Sequence, residues 1–197
     1  MSTGGTEHTA GTGLPAVVVC GPPATGKSTL GAALARALGA VLLDQDVVTG
    51  PLTAVVAGLL GTDDLDSPAL GGATRTARYE TLHAAAEDNL RGGRPVVLVA
   101  PYTTERRDPA AWQRPAGRLR AAGGTPVMVW LYLAPAGLLA RLRERSADRD
   151  RGKLNDEERY LALIDLDPPA VPHLAVDASA GTADQCRRVL EFLHDDN

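Results

Sequence analysis

The sequence predicts an α/β fold in three layers, with a five-stranded parallel sheet between two layers of helices. Three observations predict it. Short apolar runs alternate along the chain with segments of helical period, which is the pattern of stacked βα units. The runs are rich in Val and Leu without polar alternation, as strands covered on both faces must be. The first run passes into a helical segment through a glycine-containing stretch, GPPATGKST, residues 21–29. With 197 residues, 44% of them apolar, the chain suits one compact domain.

Taken in order, the first strand is Ala16–Cys20 (AVVVC), and Leu30, Leu34 and Leu38 mark the first helix by their spacing of four. The second strand is Ala40–Asp44 (AVLLD). From Thr49 to Gly72 the chain carries Pro51, Gly58, Gly61, Pro68, Gly71 and Gly72, which predicts short helices and turns. A segment of that kind, over about 47–72, is placed to cover a substrate. Tyr79, Leu82, Ala86 and Leu90 define the next helix, Pro95–Ala100 the third strand, and Pro109 to about Arg120 a weaker helix. The fourth strand is Pro126–Leu133, and Leu138 and Leu142 mark the helix after it. The fifth strand is His173–Ala178, and Cys186, Val189, Leu190 and Leu193 mark the last helix. Residues 1–14, mostly Gly, Thr and Ser, read as a disordered tail ahead of a domain spanning 15–197.

Composition excludes several classes. The net charge is -4 and aromatics make up 4% of the chain, whereas nucleic-acid binding calls for a basic face and stacking platforms. No window of about 18 apolar residues, the length of a membrane span, occurs. Cys20 and Cys186 form no metal spacing and no disulfide framework, which accords with a reducing, cytoplasmic setting.

The stretch 21–29 fits G-x-x-x-x-G-K-[ST] with Gly21, Gly26, Lys27 and Ser28, between an apolar strand and an amphipathic helix. Pro22, Pro23, Ala24 and Thr25 fill the loop, and Thr29 follows it. Its glycines let successive N–H groups turn around a phosphate, and the helix adds its positive end. Lys27 is placed for the β and γ phosphates of a nucleotide, and Ser28 for Mg²⁺. The chain has two lysines against 18 arginines, which makes a lysine at this position informative. In LLDQDVV, Asp44 and Asp46 fall two residues apart at the carboxyl edge of the sheet, where open α/β folds bind ligands.

This loop, followed by D-x-D after the second strand, resembles the P-loop small-molecule kinases, a group including shikimate kinase, gluconate kinase and chloramphenicol phosphotransferase. The resemblance runs from Val17 to Leu193. It implies a P-loop NTPase fold of nucleoside-kinase type with a mobile lid, ATP and Mg²⁺ as cofactors, and transfer of the γ-phosphate to a hydroxyl of a small metabolite or antibiotic. By it, Asp44 supports the metal with Ser28, and Asp46 contacts the acceptor hydroxyl as base. The lid, about 145–158, would bring Arg145 to adenine and Arg149 and Arg151 to the transferring phosphoryl group. Residues 141–153 carry six basic and three acidic side chains. Ala178, Ser179 and Ala180 are expected to edge the adenine.

The third strand ends in Ala100 and Pro101, where related enzymes often place a second acid. Arg78, Tyr102 and Arg106, with Thr103, Thr104 and Arg107, are expected to edge the acceptor pocket through hydrogen bonds or charge. The alternatives are a nucleoside or nucleotide kinase with an arginine-rich lid, a polynucleotide 5'-hydroxyl kinase, and a non-catalytic ATP-binding regulatory module. Partners reduce to a small hydroxyl-bearing substrate, with no nucleic acid and no membrane, and the chain is expected to be a monomer or a homodimer.

Overall fold

The computed structural model describes residues 13–64, 67–145 and 157–195. Five strands, β1 (Leu14–Cys20), β2 (Val41–Asp44), β3 (Val96–Val99), β4 (Gly124–Tyr132) and β5 (Leu174–Asp177), form one sheet in the order β2-β3-β1-β4-β5. Every neighbouring pair is parallel. Among the described residues there are seven helices: α1 (Lys27–Leu38), α2 (Gln45–Leu59), α3 (Pro68–Arg91), α4 (Pro109–Ala121), α5 (Pro135–Arg145), α6 (Glu157–Leu163) and α7 (Thr182–Asp195). The predicted strands and marked helices are all present, with one or both ends of every strand shifted by one or two residues.

Burial on both sides explains the unbroken apolar runs. Ala16, Val18 and Cys20 face a core built with Tyr79, Leu82, Ala86 and Leu90 of α3 and Trp112, Ala116 and Leu119 of α4. Val17 and Val19 face the other core, built with Leu30 and Leu34 of α1 and Val189 and Leu193 of α7. The period-two alternation of a strand is therefore present, but it sorts apolar residues between two cores instead of separating core from solvent. α1 leaves β1 on one face and α4 leaves β3 on the other. These neighbouring strands thus diverge into opposite layers and open a crevice at their carboxyl ends.

α1 lies close against the sheet because position 31 is glycine: a Cβ there would stand 2.5 Å from Val99 Cγ2. Gly39, at φ 60°, ends the helix, and the main chain after it donates back to Ala35 and Arg36.

Two expectations are corrected. The stretch from Thr49 to Gly72 is mostly two regular helices, α2 and the start of α3, rather than short helices and turns. Pro51 stands inside α2 on its exposed side, so the carbonyl it deprives of a donor can turn to water. Gly50 and Gly58 also stay within α2. Ser67 caps α3 by accepting the Leu70 N–H at 3.4 Å, with Pro68 as the first helical residue. Leu14, counted with the tail, is instead the first residue of β1, and its N–H donates to Gly123. Residues 1–12 of the expected tail, and 146–156 of the expected lid, lie outside the described residues.

His83 generates a prediction. It is buried in α3, with Nε2 3.2 Å from Tyr102 Oη. Burial, reinforced by the Arg118 charge, holds its pKa down at about 4 against an ordinary 6.5. Between those values the unfolded chain takes up a proton that the native site refuses. Stability should be level above pH 6.5 and fall by about 3 kcal/mol as the pH drops to 4. Urea unfolding across that range should show the loss, and His83→Gln should flatten it.

Candidate active site

β1 delivers the phosphate-type loop with very little lateral room. Gly21 has φ 139°, and a Cβ on it would stand 2.3 Å from the Leu131 carbonyl oxygen of the neighbouring strand. Ala24 and Gly26 also take positive φ, 63° and 91°, and this turns the main chain around a concavity. Two side chains brace the loop from within. Thr25 Oγ1 donates to the Pro22 carbonyl at 2.9 Å, and Lys27 Nζ donates to the same carbonyl at 2.7 Å. The loop ends at the N-terminus of α1, with Gly26 as its cap. The positive end of that helix therefore faces the concavity.

The acidic pair meets the loop directly. Ser28 Oγ donates to Asp44 Oδ2 at 2.5 Å, and Asp44 Oδ1 accepts the Asp46 N–H at 3.0 Å. Asp44 therefore caps α2 while touching the loop. Asp46 accepts from Arg78 Nη2 at 2.6 Å, and Arg78 Nε donates to Thr49 Oγ1 at 2.9 Å. One cleft of about 690 Å³ collects Lys27, Ser28, Asp44, Asp46 and Arg78 with Pro23, Ala24, Gly26 and Thr29. Ala100 and Pro101 line it at the end of β3, so apolar surface stands at the position of the second acid.

The donor set suits a hard cation: a hydroxyl and a carboxylate oxygen lie side by side at the cleft. Magnesium needs few protein ligands because it keeps several waters and binds substrate phosphates. Among the described residues no group of three or more His, Cys, Asp or Glu could hold a metal, so a cation here would rest on Ser28 and Asp44.

Not every expected site residue reaches the cleft. Tyr102 is fully buried with φ 48°, its N–H donating to Tyr79 Oη at 2.8 Å. Arg106 is 2% exposed and serves the interior. Its Nη2 donates to the Asp165 carbonyl and pairs with Asp165 Oδ2, both at 2.7 Å, and its Nη1 donates to the Asp167 carbonyl at 3.0 Å. Both residues hold the loop after β3 in place and do not line the cleft. Burial works against the charged form of Asp165, yet the hydrogen bond from Arg107 and the Arg106 charge hold its pKa below the ordinary carboxylate range. Ser179 is exposed and its N–H donates to Asp177 at 2.8 Å, outside the cleft lining. Arg145 closes α5 with its side chain outside the described residues, and Arg149 and Arg151 lie outside them altogether.

Two cleft residues escaped the reading of the sequence. Arg141 Nη1 donates to the Thr25 carbonyl at 3.0 Å, and Nη2 donates to the Ala178 carbonyl at 2.5 Å. It thereby joins the loop after β1 to the turn after β5. Leu138 and Leu142 were legible as the core face of α5, and Arg141 follows Leu138 by three, which puts it at the border of that face. Gln45 lies between the two aspartates, 4% exposed, with Nε2 buried and without a hydrogen-bond partner. The residue lines the cleft. Cys20, next to Gly21, is packing: burial pushes its thiol up to about 12 against the pull of Arg106 and Lys27, so it is no nucleophile.

Comparisons with known proteins bear on the fold. Among solved structures, an APS kinase of Mycobacterium tuberculosis, in complex with AMPPNP and APS, is similar at 19% identity and a TM-score of 0.62, over 92% of this chain and 98% of that one. A gluconokinase from Sinorhizobium meliloti is similar at 22% identity and a TM-score of 0.58, over 92% of both chains. A shikimate kinase from Aquifex aeolicus is similar at 16% identity and a TM-score of 0.52, over 91% and 96%. These likenesses establish a P-loop kinase-like fold. No curated protein matches the chain in sequence. The family model for the AAA domain AAA_33 matches residues 17–166. With its phosphate-type loop and most of its length inside that match, the chain belongs to the AAA domain family AAA_33.

Proposed function

We propose that the protein is an ATP-dependent phosphotransferase that moves the γ-phosphate to an alcohol group of a small molecule. One observation carries this reading: Lys27, the Ser28–Asp44 pair and the Asp46–Arg78 pair meet in a single cleft at the carboxyl edge of β1 and β3. Bound Mg-ATP would supply the phosphoryl group and metal charge. The main-chain N–H groups of residues 24–29 would cradle its phosphates, Lys27 would neutralise their charge, and Ser28 and Asp44 would hold the metal. Arg78 fixes the carboxylate of Asp46, which orients the acceptor hydroxyl and takes its proton. Phosphoryl transfer passes through a loose transition state, so positioning and charge matter more than proton removal.

Arg141 gives this reading a scaffold, because it ties the phosphate loop to the turn proposed to meet adenine. The arginines 145, 149 and 151 are assigned to the nucleotide on the sequence and its resemblance alone. α2 and α3 border the cleft through Gln45, Asp46 and Arg78, in the place proposed for substrate selection. The kinases similar in fold act, by their names, on gluconate, shikimate and APS, and a small hydroxylated acceptor is the class this reading takes from them. Cys20 and Cys186 are free thiols, which supports a cytoplasmic location. No helix among the described residues is long and apolar enough to cross a membrane.

Three outcomes are expected from an ADP-release screen over sugars, amino acids, aminoglycosides, nucleosides and nucleotides. Lys27→Ala should lower kcat on the best acceptor by roughly 10²- to 10³-fold, the scale of one lost charge-stabilising donor. Asp46→Asn should keep nucleotide affinity in calorimetry while losing about 10²-fold or more in kcat; turnover at the parent rate removes Asp46 from the chemistry. Arg141→Met should weaken nucleotide binding by about tenfold and lower Tm, since charged hydrogen bonds of about 1.5 kcal/mol or more are lost. Nucleotide binding with no phosphorylated product from any acceptor class would favour a regulatory module instead.

A further inference from the structure

α2 is inverted. Its buried side carries Thr49 and Thr53, whose hydroxyls donate to the Gln45 and Thr49 carbonyls at 2.6 and 2.9 Å. Its outer side is apolar. Val48, Leu52, Val55 and Leu59 are 36, 72, 60 and 82% exposed, and their 4-3-4 spacing places all four on one narrow stripe. The row beside it is Val47, Pro51, Ala54 and Gly58, again without a polar group, and no charge occurs from Val47 through Thr62. A surface helix turns polar residues to water, whereas one that is apolar on its outer side as well is a buried helix.

Among the described residues nothing buries it. α2 follows β2, which is the edge strand of the sheet, so the fold places no further element beyond it, and a Cβ at Gly50 or Gly58 would meet open space. The residues outside the described ones, 1–12, 65–66, 146–156 and 196–197, hold Met1, Leu65 and Leu154 as their only large apolar side chains. That is too little to cover the stripe.

We infer that the outer face of α2 is a homodimer interface, occupied by the same face of a second copy. The spacing is that of a helix-pair seam, with each apolar knob meeting its own kind across a two-fold axis. The two apolar rows, Val47, Val48, Leu52, Val55 and Leu59 with Pro51 and Ala54, present roughly 600 Å² per copy, so a pair that covers both rows buries about 1,200 Å², the lower end of specific interfaces. Charge points the same way. Each copy carries a net -4, and the uncharged stretch 47–62 is where two copies can meet without repulsion. A membrane surface fits less well, since an interfacial helix carries Lys and Arg on its polar face and α2 has neither. The interface bears on the cleft, because the first turn of α2 holds Asp46 and its cap is Asp44.

Sedimentation velocity on the full chain, from about 1 to 50 μM, tests this. The wild type should be a dimer, and Leu52→Glu with Leu59→Glu should weaken self-association by roughly 100-fold or more with an unchanged circular dichroism spectrum. Leu163→Glu, at an equally exposed leucine on α6, should leave the dimer intact. If the double variant fails to fold, Val55→Cys in a Cys186→Ser background replaces it, and a short bis-maleimide should then give a covalent dimer. A monomer throughout, a dimer indifferent to the double variant, equal loss with Leu163→Glu, or a monomer that instead sediments with neutral lipid vesicles through this stripe would each overturn the assignment.

Discussion

The closeness of Gly21 to β4 is the constraint on which the cleft depends. The chain must leave β1, turn at once, and begin α1 while still flanked by a strand on each side. At Gly21 the main chain passes so near the Leu131 carbonyl that a Cβ would stand 2.3 Å from its oxygen. Only glycine fits, and only glycine adopts φ 139° without strain. From that turn the remaining geometry follows: the loop wraps a concavity, α1 begins at Lys27, and Ser28 meets Asp44 at the end of β2.

Around the concavity the charges are interlocked. Asp44 accepts from Ser28 and from the first turn of α2, and Asp46 is held by Arg78, which also engages Thr49. Arg141 spans from the phosphate loop to the turn after β5. These links connect α1, α2, α3, α5 and the β5 turn, and both cysteines are free thiols. A second network, Arg106 with Asp165 and the carbonyls of residues 165 and 167, fixes the loop beyond β3 from below. The polar groups near the cleft thus divide into those that open into it and those that shape its walls.

α2 couples the site to the surface. Its inner side packs on α3, its first turn lines the cleft, and its outer side is apolar. Restraint on one side of a rigid helix is felt on the other, so whatever covers the outer stripe also steadies Asp46.

The sequence alone determined the layered fold, because periodicity records which faces are buried: Val17 to Cys20 read as a doubly covered strand, and Leu30, Leu34 and Leu38 as one helix face. It also determined the phosphate-type loop, since that motif is local and its glycines are demanded by backbone conformation. Tertiary structure decided the rest. Tyr102 and Arg106 look like pocket residues in a loop, yet partners more than 20 and nearly 60 positions distant draw them inside. Arg141 reads as one lid arginine among several, and only the return of α5 onto the loop gives it two carbonyls 116 and 37 positions away. Pro51 and Gly58 read as breakers, but packing of α2 against α3 outweighs their helix propensity. Local patterns encode burial and turn geometry, whereas a polar side chain's partner is set by where distant segments come to rest.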